Sequence, residues 1–371
     1  QLEAAGESID CLTVHGDGAR PSVLRKAGIE HADMVIAVTS NDTANIVICL
    51  LAERFGVKHK VARVRNPEYR DLDEIRDLRL PESGPDTQLV GPRTALSGIV
   101  DTIVNPDEII VRSLEQYISS PGSTEVADFA DGEVQLRKFM IRAGSPLCGK
   151  RIHELSTFTQ QEAFLVVAID RGEDTIVPTG TDEIREGDCV TIVMPDGVQP
   201  FVLPLVGHTL DEVSKVVIAG ANSASLDLAE RLRAEVDEVL IIEEDEETSE
   251  VSADLVSKAR VFHGNTTDEG IHREVGMSTC DYFVAMTPSD EHNLLSCLLA
   301  KRNGAKRVAM VVSETEYMQV LGSIGIDVAV NARLLTMSAI LRFLRRGKIL
   351  SLARFQGDRP EAIRRPAEAN T

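Results

Sequence analysis

The sequence predicts an α/β protein in which two parallel-sheet domains are separated by a small β-rich α+β module. Two observations support this prediction. Residues 14–69 align without a gap on residues 262–317, at a constant offset of 248, and 19 of the 56 pairs are identical. In the second copy, short β-branched runs alternate with helical segments of about a dozen residues, which is typical of βαβ crossovers. The chain therefore contains an internal duplication of a parallel-sheet unit.

The second copy carries the more complete set of elements. Strand-like apolar runs occupy residues 215–219, 238–242, 260–262, 281–286 and 307–312. Helical spacing of apolar residues occupies 226–234, 269–275 and 290–302. Apolar strands without alternation are typical of strands covered on both faces. This order predicts a doubly wound, Rossmann-like domain, and the duplication extends the prediction to the first copy.

The first copy is predicted to be partial. It begins at Gln1, within a helix that leads into a strand at 11–14. The fingerprint strand and turn that open the second copy have no counterpart in it, so we expect the chain to be a fragment. Residues 91–119 are amphipathic and are predicted to form a long helix that Asn105 and Pro106 interrupt.

A different composition follows the first copy. Serine, proline and glycine at 119–123 indicate a linker. Short strands are predicted at 133–141, 163–169, 175–177 and 189–194. The predicted organisation is a partial first domain with its crossover helix at 1–119, a β-rich ligand or regulatory module at 120–206, the second Rossmann-like domain at 207–347, and a tail at 348–371 that begins a truncated second β-rich module.

Composition excludes several classes of function. The 371 residues carry a net charge of −20, which disfavours binding to nucleic acid. No apolar run approaches the ~20 residues of a membrane-spanning helix, and no secretory signal is visible. Six scattered cysteines without ligand spacing fit a reduced, cytoplasmic compartment. No HExxH, GxSxG or P-loop motif and no Cys–His pair is present, so we expect no metal, no catalytic residues and no enzyme activity.

One candidate site is the turn after the first strand of the second copy. In a Rossmann unit this turn reads GxGxxG, and amides at the start of the helix hold a phosphate. Here Gly220 is followed by Ala221, Asn222, Ser223, Ala224 and Ser225, so Asn222 and Ser225 replace two glycines. Glu243 stands where an acid can bind ribose hydroxyls, although it also opens an acidic run that reads as a solvated loop. Both interpretations remain open at this point.

Polar residues also end other strands, at the edge where ligands bind in open α/β sheets. They are Asp17, Thr39 and Ser40 in the first copy and Thr287 in the second. Helix capping is the alternative for the residues that follow each fourth strand. Arg63 lies in an otherwise apolar strand, and a ligand phosphate or an acid is expected beside it, because a lone buried charge is costly.

Several segments resemble the regulator-of-potassium-conductance family, known as RCK or KTN domains. HGD at 15–17, LRKAGIEHADMVIAVTSND at 24–42, ANIVICLLA at 44–52 and VARVRNPEY at 61–69 resemble its nucleotide-binding (RCK N) half. GSPLCGKRIHEL at 144–155, VVAIDRG at 166–172 and EGDCVTIV at 186–193 resemble its C-terminal (RCK C) module. The segment from Asn331 to Ser351 resembles the crossover helix. Their order resembles the regulatory subunits of bacterial and archaeal Trk potassium uptake systems.

The resemblance implies a nucleotide-binding regulatory subunit that gates a potassium transporter. It implies NAD(H) as the cofactor, with ATP or ADP as alternatives. It also implies a membrane-embedded potassium-translocating partner of the TrkH or TrkG kind, self-association into a dimer or tetrameric ring, and a place on the cytoplasmic face of the plasma membrane. The implied nucleotide contacts are Asp17, Thr39, Ser40 and Arg63, then Gly220, Ala221, Asn222, Ser223, Ala224, Glu243, Asn265 and Thr287.

Two other functions stay open from the residues alone. An NAD-dependent oxidoreductase is compatible with Rossmann-like halves, but no catalytic acid or base and no substrate domain is visible. A regulator of a different cation transporter or antiporter is compatible with the same modules. In either case an acid at the end of the second strand argues against a 2′-phosphate on the nucleotide.

Overall fold

The computed structural model describes residues 11–69, 99–120, 122–129, 133–159, 162–172, 174–208, 213–257, 259–321, 323–344, 351–354 and 361–364. These residues fall into two compact units. The first takes Gln1–Asp107 and Ala339–Leu344, and the second takes Glu108–Ser338 and Arg345–Thr371. No helix within the described ranges is long and apolar enough to cross a bilayer.

The first unit is built on a parallel three-stranded sheet. Its strands are β1 (Met34–Ala37), β2 (His59–Arg63) and β3 (Thr102–Val104), in the order β1-β2-β3. Helices α1 (Pro21–Lys26) and α2 (Asp42–Arg54) and 3-10 turns at Ile29–His31 and Pro67–Tyr69 complete it. The predicted helix over 91–119 is wrong at β3, because a short β-branched run supplies the third strand instead; residues 91–98 lie outside the described part of the chain.

Helix α3 (Pro106–Ser119) follows β3 after a single residue, with proline at its first position. The buried residues Ile110, Val111, Leu114 and Ile118 share one face of this helix. They belong to the same core cluster as Val216 and Ile218 of the second copy. The helix that leaves the first copy therefore packs into the core of the second.

The β-rich module is a five-stranded antiparallel sheet. Its strands are β4 (Ser123–Phe129), β5 (Val134–Met140), β6 (Leu165–Arg171), β7 (Asp174–Ile176) and β8 (Cys189–Pro195), in the order β4-β5-β8-β6-β7. A 3-10 turn (Ile152–Leu155), α4 (Ser156–Thr159) and α5 (Gln199–Leu205) surround a core that includes Phe139, Ile192 and Leu203. Strand β4 was not predicted, because its alternating polar residues follow directly on the linker signal.

The second copy is a complete doubly wound sheet. Its strands are β9 (Lys215–Ala219), β10 (Glu238–Glu243), β11 (Arg260–His263), β12 (Tyr282–Ala285), β13 (Arg307–Val312) and β14 (Val328–Asn331). All neighbours are parallel, in the order β11-β10-β9-β12-β13-β14, which is the Rossmann order. The helices are α6 (Ser223–Leu232), α7 (Glu246–Leu255), α8 (Glu269–Glu274), α9 (Asp290–Arg302), α10 (Met318–Leu321) and α11 (Ala332–Leu344), with 3-10 turns at Met277–Thr279 and Thr315–Tyr317. The α/β fold with parallel sheets is thereby confirmed.

The duplication extends to strand register. Met34 lies opposite His59 between β1 and β2, and Tyr282 lies opposite Arg307 between β12 and β13. The residue numbers of the second pair exceed those of the first by 248, which is the offset of the sequence alignment. Beyond the second copy, β15 (Ser351–Arg354) pairs antiparallel with β16 (Glu361–Arg364).

Candidate functional site

The crevice of the second sheet opens between β9 and β12, where the strand order reverses and ligands bind in folds of this kind. Gly220 directly follows β9 and has a left-handed φ of +93°. A Cβ at this position would lie 3.2 Å from Thr287 Cγ2 and 3.4 Å from the Met286 carbonyl oxygen. Glycine is therefore required here by both its backbone conformation and its close neighbours.

The Asn222 side chain bridges this crevice. Its Nδ2 donates to the Met286 carbonyl at 2.6 Å, beyond the end of β12. Its Oδ1 accepts from the backbone amides of Ala224 at 3.0 Å and Ser225 at 3.1 Å, which makes Asn222 the N-cap of α6. In a glycine-rich turn, amides at the start of this helix face the phosphate. Here the asparagine satisfies two of them.

Glu243 is held in the same turn. Its Oε2 accepts from the Ala221 amide at 2.6 Å, and its Oε1 accepts from the Asp245 amide at 3.0 Å. The acidic-loop interpretation therefore does not describe Glu243, which is half-buried and fixed by two backbone donors. A carboxylate has about four acceptor positions, so Glu243 keeps the capacity to accept from ribose hydroxyls.

The other second-copy candidates have structural partners. Asn265 donates from Nδ2 to Glu244 Oε1 at 2.8 Å and accepts the Thr267 amide at 2.8 Å. The Thr287 hydroxyl donates to Asn293 Oδ1 at 2.6 Å. Contacts thus bring Gly220, Asn222 and Thr287 together at the crevice, whereas Asn265 joins the neighbouring acidic loop.

In the first copy, Thr39 and Arg63 lie together at the edge of the sheet. Arg63 Nη1 donates to the Thr39 carbonyl at 2.7 Å, which uses one of the five guanidinium donors. Burial and the nearby Arg65 charge lower the pKa of Arg63. Ser40 is exposed next to them. Asp17 makes local contacts, accepting the Ala19 amide at 2.9 Å.

Buried asparagines that follow these strands were not assigned a role from sequence. Asn45 Nδ2 donates to the carbonyls of Thr39 at 3.1 Å and Arg63 at 2.8 Å. Asn293 does the same to Thr287 at 2.9 Å and Val311 at 3.0 Å. The available signal was an identical asparagine in the first turn of both apolar helices. Helix α2 itself is capped by Asn41, which accepts the Ala44 amide, so capping explains Asn41 and not Thr39.

The residues around Gly220 do not fit a dinucleotide in the manner of a glycine-rich turn. The Ala221, Ala224 and Ser225 amides already have carboxylate or amide acceptors, and the Asn222 side chain occupies the space that a second glycine leaves open. No cluster of His, Cys, Asp or Glu that could hold a metal ion occurs within the described ranges.

Comparisons with known proteins agree with this architecture. The TrkA-N domain family matches residues 1–77 and 216–332, and the TrkA-C domain family matches residues 136–198. "Trk system potassium uptake protein TrkA" of Azorhizobium caulinodans is 30% identical over 352 residues, covering 94% of this chain and 74% of that protein. The protein of the same name from Halomonas elongata is 30% identical over 364 residues, covering 98% and 76%.

Solved structures share the fold. The crystal structure of the GsuK RCK domain superposes with a TM-score of 0.62 at 18% identity, covering 93% of this chain and 69% of that one. A GsuK channel bound to NAD gives a TM-score of 0.61 at 18% identity, covering 93% and 57%. Both copies match TrkA-N and the β-rich module matches TrkA-C, and relatives at 30% identity align over nearly the whole chain. The chain belongs to the TrkA family.

Proposed function

We propose that this chain is the nucleotide-responsive regulatory subunit of a Trk-type potassium uptake system. The observation that carries the proposal is the order of the domains: two TrkA-N units flank one TrkA-C module, and relatives named for potassium uptake align over nearly the whole of this arrangement. The chain acts on a membrane-embedded potassium-translocating subunit at the cytoplasmic face, and it self-associates into a dimer or tetrameric ring. It regulates transport and catalyses no reaction.

The first copy supplies the effector site in this proposal. Thr39 and Ser40 follow β1, and Arg63 is the last residue of β2 and offers a cation for a phosphate at the same sheet edge. Asp17 lies near a turn, because the strand predicted at 11–14 is not formed. The nucleotide, NAD(H) or ATP and ADP, contributes its phosphate charge and ribose hydroxyls when bound. The second copy binds nucleotide more weakly through Gly220, Glu243 and their neighbours, because Asn222 has to leave the Met286 carbonyl first.

The chain offers a direct route from the first copy to the second. Strand β3 is followed after one residue by α3, whose apolar face is part of the second copy's core. A ligand that binds one arrangement of the first sheet more tightly than another shifts the equilibrium between the two arrangements. Because α3 follows directly on that sheet, the shift also acts on this helix. Such a difference in affinity is the coupling free energy that regulation requires.

Calorimetry with NADH, NAD⁺, ATP and ADP tests the nucleotide assignment. We expect Arg63→Ala to weaken binding about tenfold, the usual cost of losing a charged phosphate contact. Arg65→Ala is the matched control, because Arg65 is a neighbouring arginine whose Nε lies 3.5 Å from an Asp107 carboxylate oxygen. Equal losses in the two variants would contradict the assignment.

Co-purification tests the partner. A tagged chain should retain a Trk-type membrane subunit from detergent-solubilised membranes of cells that express both proteins. Hydride-transfer assays with NADH should give no turnover. Failure to retain the subunit, or NADH oxidation with a defined substrate, would contradict the regulatory role.

A further inference from the structure

The internal duplication allows the ligand-binding edges of the two sheets to be compared position by position. In the first copy this edge includes residues 16–20, 38–41, 63 and 65–66, and the offset of 248 relates them to residues 264–268, 286–289, 311 and 313–314. The first set contains three arginines, which are Arg20, Arg63 and Arg65. The second set contains neither lysine nor arginine, and Val311 stands in place of Arg63. The two edges therefore differ in their cations.

Ion pairs neutralise two of the three arginines. Arg20 and Arg65 each lie 3.5 Å from a carboxylate oxygen, those of Asp17 and Asp107. Arg63 instead donates to a backbone carbonyl at 2.7 Å. Arg63 is therefore the cation that the first copy can offer to a phosphate without breaking an ion pair, and the comparison of the two edges reduces to position 63 against position 311.

The backbone that carries these two positions is the same in both copies. Asn45 and Asn293 each accept the amide of the threonine that follows the preceding strand at 2.9 Å, and they accept its hydroxyl at 2.7 Å and 2.6 Å. Their Nδ2 atoms donate to the carbonyl of Arg63 at 2.8 Å and to the carbonyl of Val311 at 3.0 Å. The side chain at position 311 therefore starts from the same point of the sheet edge as that of Arg63.

Val311 offers nothing that could replace the guanidinium. Its side chain is half-buried and packs against the apolar core to which α3 contributes. Arginine donates through a planar fork that matches phosphate oxygens, whereas the valine side chain has no polar atom. The second copy therefore keeps the geometry of the first and lacks its phosphate-binding cation.

The other groups around the second crevice also disfavour a phosphate. Asn222 and Glu243 already accept backbone amides from the turn and the start of α6. Residues 243–245 are all acidic, and Arg333 at the start of α11 is paired with Glu314 at 3.0 Å. A carboxylate can accept hydrogen bonds from ribose hydroxyls but repels a phosphate, so the crevice suits an uncharged ligand.

We propose that the second crevice selects a ribonucleoside that carries no phosphate, and that Val311 is the residue that determines this selectivity. The inference rests on the proposed function, because it takes the crevice as a site for a ribosyl ligand. It adds that the two copies respond to different classes of ligand: a phosphate-bearing nucleotide in the first and an uncharged nucleoside in the second. Weak nucleotide binding by the second copy then results from charge as well as from the Asn222 bridge.

Ligand-observed NMR titrations with adenosine and ADP, without divalent cations, test the proposal. They use the Arg63→Ala chain, in which the phosphate site of the first copy is weakened. We expect this chain to bind adenosine at least about tenfold more tightly than ADP, and a further Glu243→Ala change to weaken adenosine binding about tenfold, which assigns the signal to the second crevice. High salt should reduce the preference, because it screens exposed carboxylates.

Val311→Arg provides a variant that gains an interaction. In the Arg63→Ala chain it should shift the ratio of the two affinities at least about tenfold toward ADP. The buried Met286 stands where the first copy has Val38, so Val311→Arg is also made together with Met286→Val, which leaves room for the longer side chain. Thr279→Arg is the matched control: Thr279 is exposed just before β12, at the opposite edge of the same sheet, and the ratio should not change.

A ratio that Val311→Arg leaves unchanged, both alone and with Met286→Val, would overturn the proposal. ADP binding as tight as adenosine binding in the Arg63→Ala chain, or no adenosine binding at all, would also overturn it. Failure of the proposed function is measured separately. Equal effects of Arg63→Ala and Arg65→Ala on ADP binding would contradict the nucleotide assignment in the first copy, whereas the effects of Glu243→Ala and Val311→Arg report on the second crevice alone.

Discussion

Replacing Asn222 by alanine tests how the second copy closes its crevice. The substitution removes three hydrogen bonds: two accepted from the amides of Ala224 and Ser225, and one donated to the Met286 carbonyl. Loss of an N-cap costs about 1 kcal/mol, and loss of the hydrogen bond to the carbonyl of the buried Met286 costs about 1 kcal/mol more. The expected destabilisation is therefore about 2 kcal/mol, or a fall of about 4–8 °C in Tm for a unit of this size.

Urea and thermal unfolding followed by circular dichroism measure this effect. Ser289→Ala is the matched control, because Ser289 caps α9 in the same domain by accepting the His292 amide and makes no bridge to another strand. It should cost only about 1 kcal/mol. Asn222→Gly should cost about the same, since glycine is a tolerable N-cap, while opening the crevice to nucleotide. If Asn222→Ala costs no more than Ser289→Ala, the bridge contributes nothing and this explanation is refuted.

Three further predictions follow from buried polar groups. Burial opposes ionisation of Asp281, but hydrogen bonds from Lys306 and two backbone amides outweigh it and lower its pKa. Asp281→Asn should therefore cost about 2 kcal/mol near pH 7. The difference from the parent protein should shrink as pH falls below the ordinary aspartate pKa of about 4, and it should vanish only below the lowered pKa of the folded carboxyl; pH-dependent unfolding measures it. Asn293→Ala should cost about 3 kcal/mol in urea unfolding, because it leaves two strand-end carbonyls and an amide without partners. A thiol reagent should modify the exposed Cys11 at once, and the buried Cys49, Cys280 and Cys297 only on unfolding. Burial raises the pKa of these three thiols.

The duplication made most of the fold predictable. Residues 290–302 were predicted as a helix with the bounds that the structure has, since a serine cap and a long apolar periodicity define both ends. The strand at 102–104 was missed because three β-branched residues do not distinguish a strand from the helix that follows them. Strand β3 pairs with β2 through residues such as Val61 and Thr102, which are 41 positions apart in the sequence. Its pairing therefore depends on the tertiary structure and not on a local pattern.

The sequence predicted where the candidate residues lie in the fold, but not the hydrogen bonds that they make. Sequence placed Gly220 and Glu243 at the crevice, because the spacing from the first strand to the end of the second is a local property. The Asn222 bridge depends on a carbonyl 64 residues away, at Met286. This contact leaves no periodic signal in the sequence.

Potassium flux tests the regulatory role most directly. The measurement uses proteoliposomes that contain a Trk-type membrane subunit from the same organism, with and without this chain, over a range of NADH and ATP concentrations. The proposal predicts that the chain changes the flux and that nucleotide changes the size of that effect, with Arg63→Ala shifting the nucleotide dependence to higher concentration. A flux that is the same with and without the chain, at every nucleotide concentration, would contradict it.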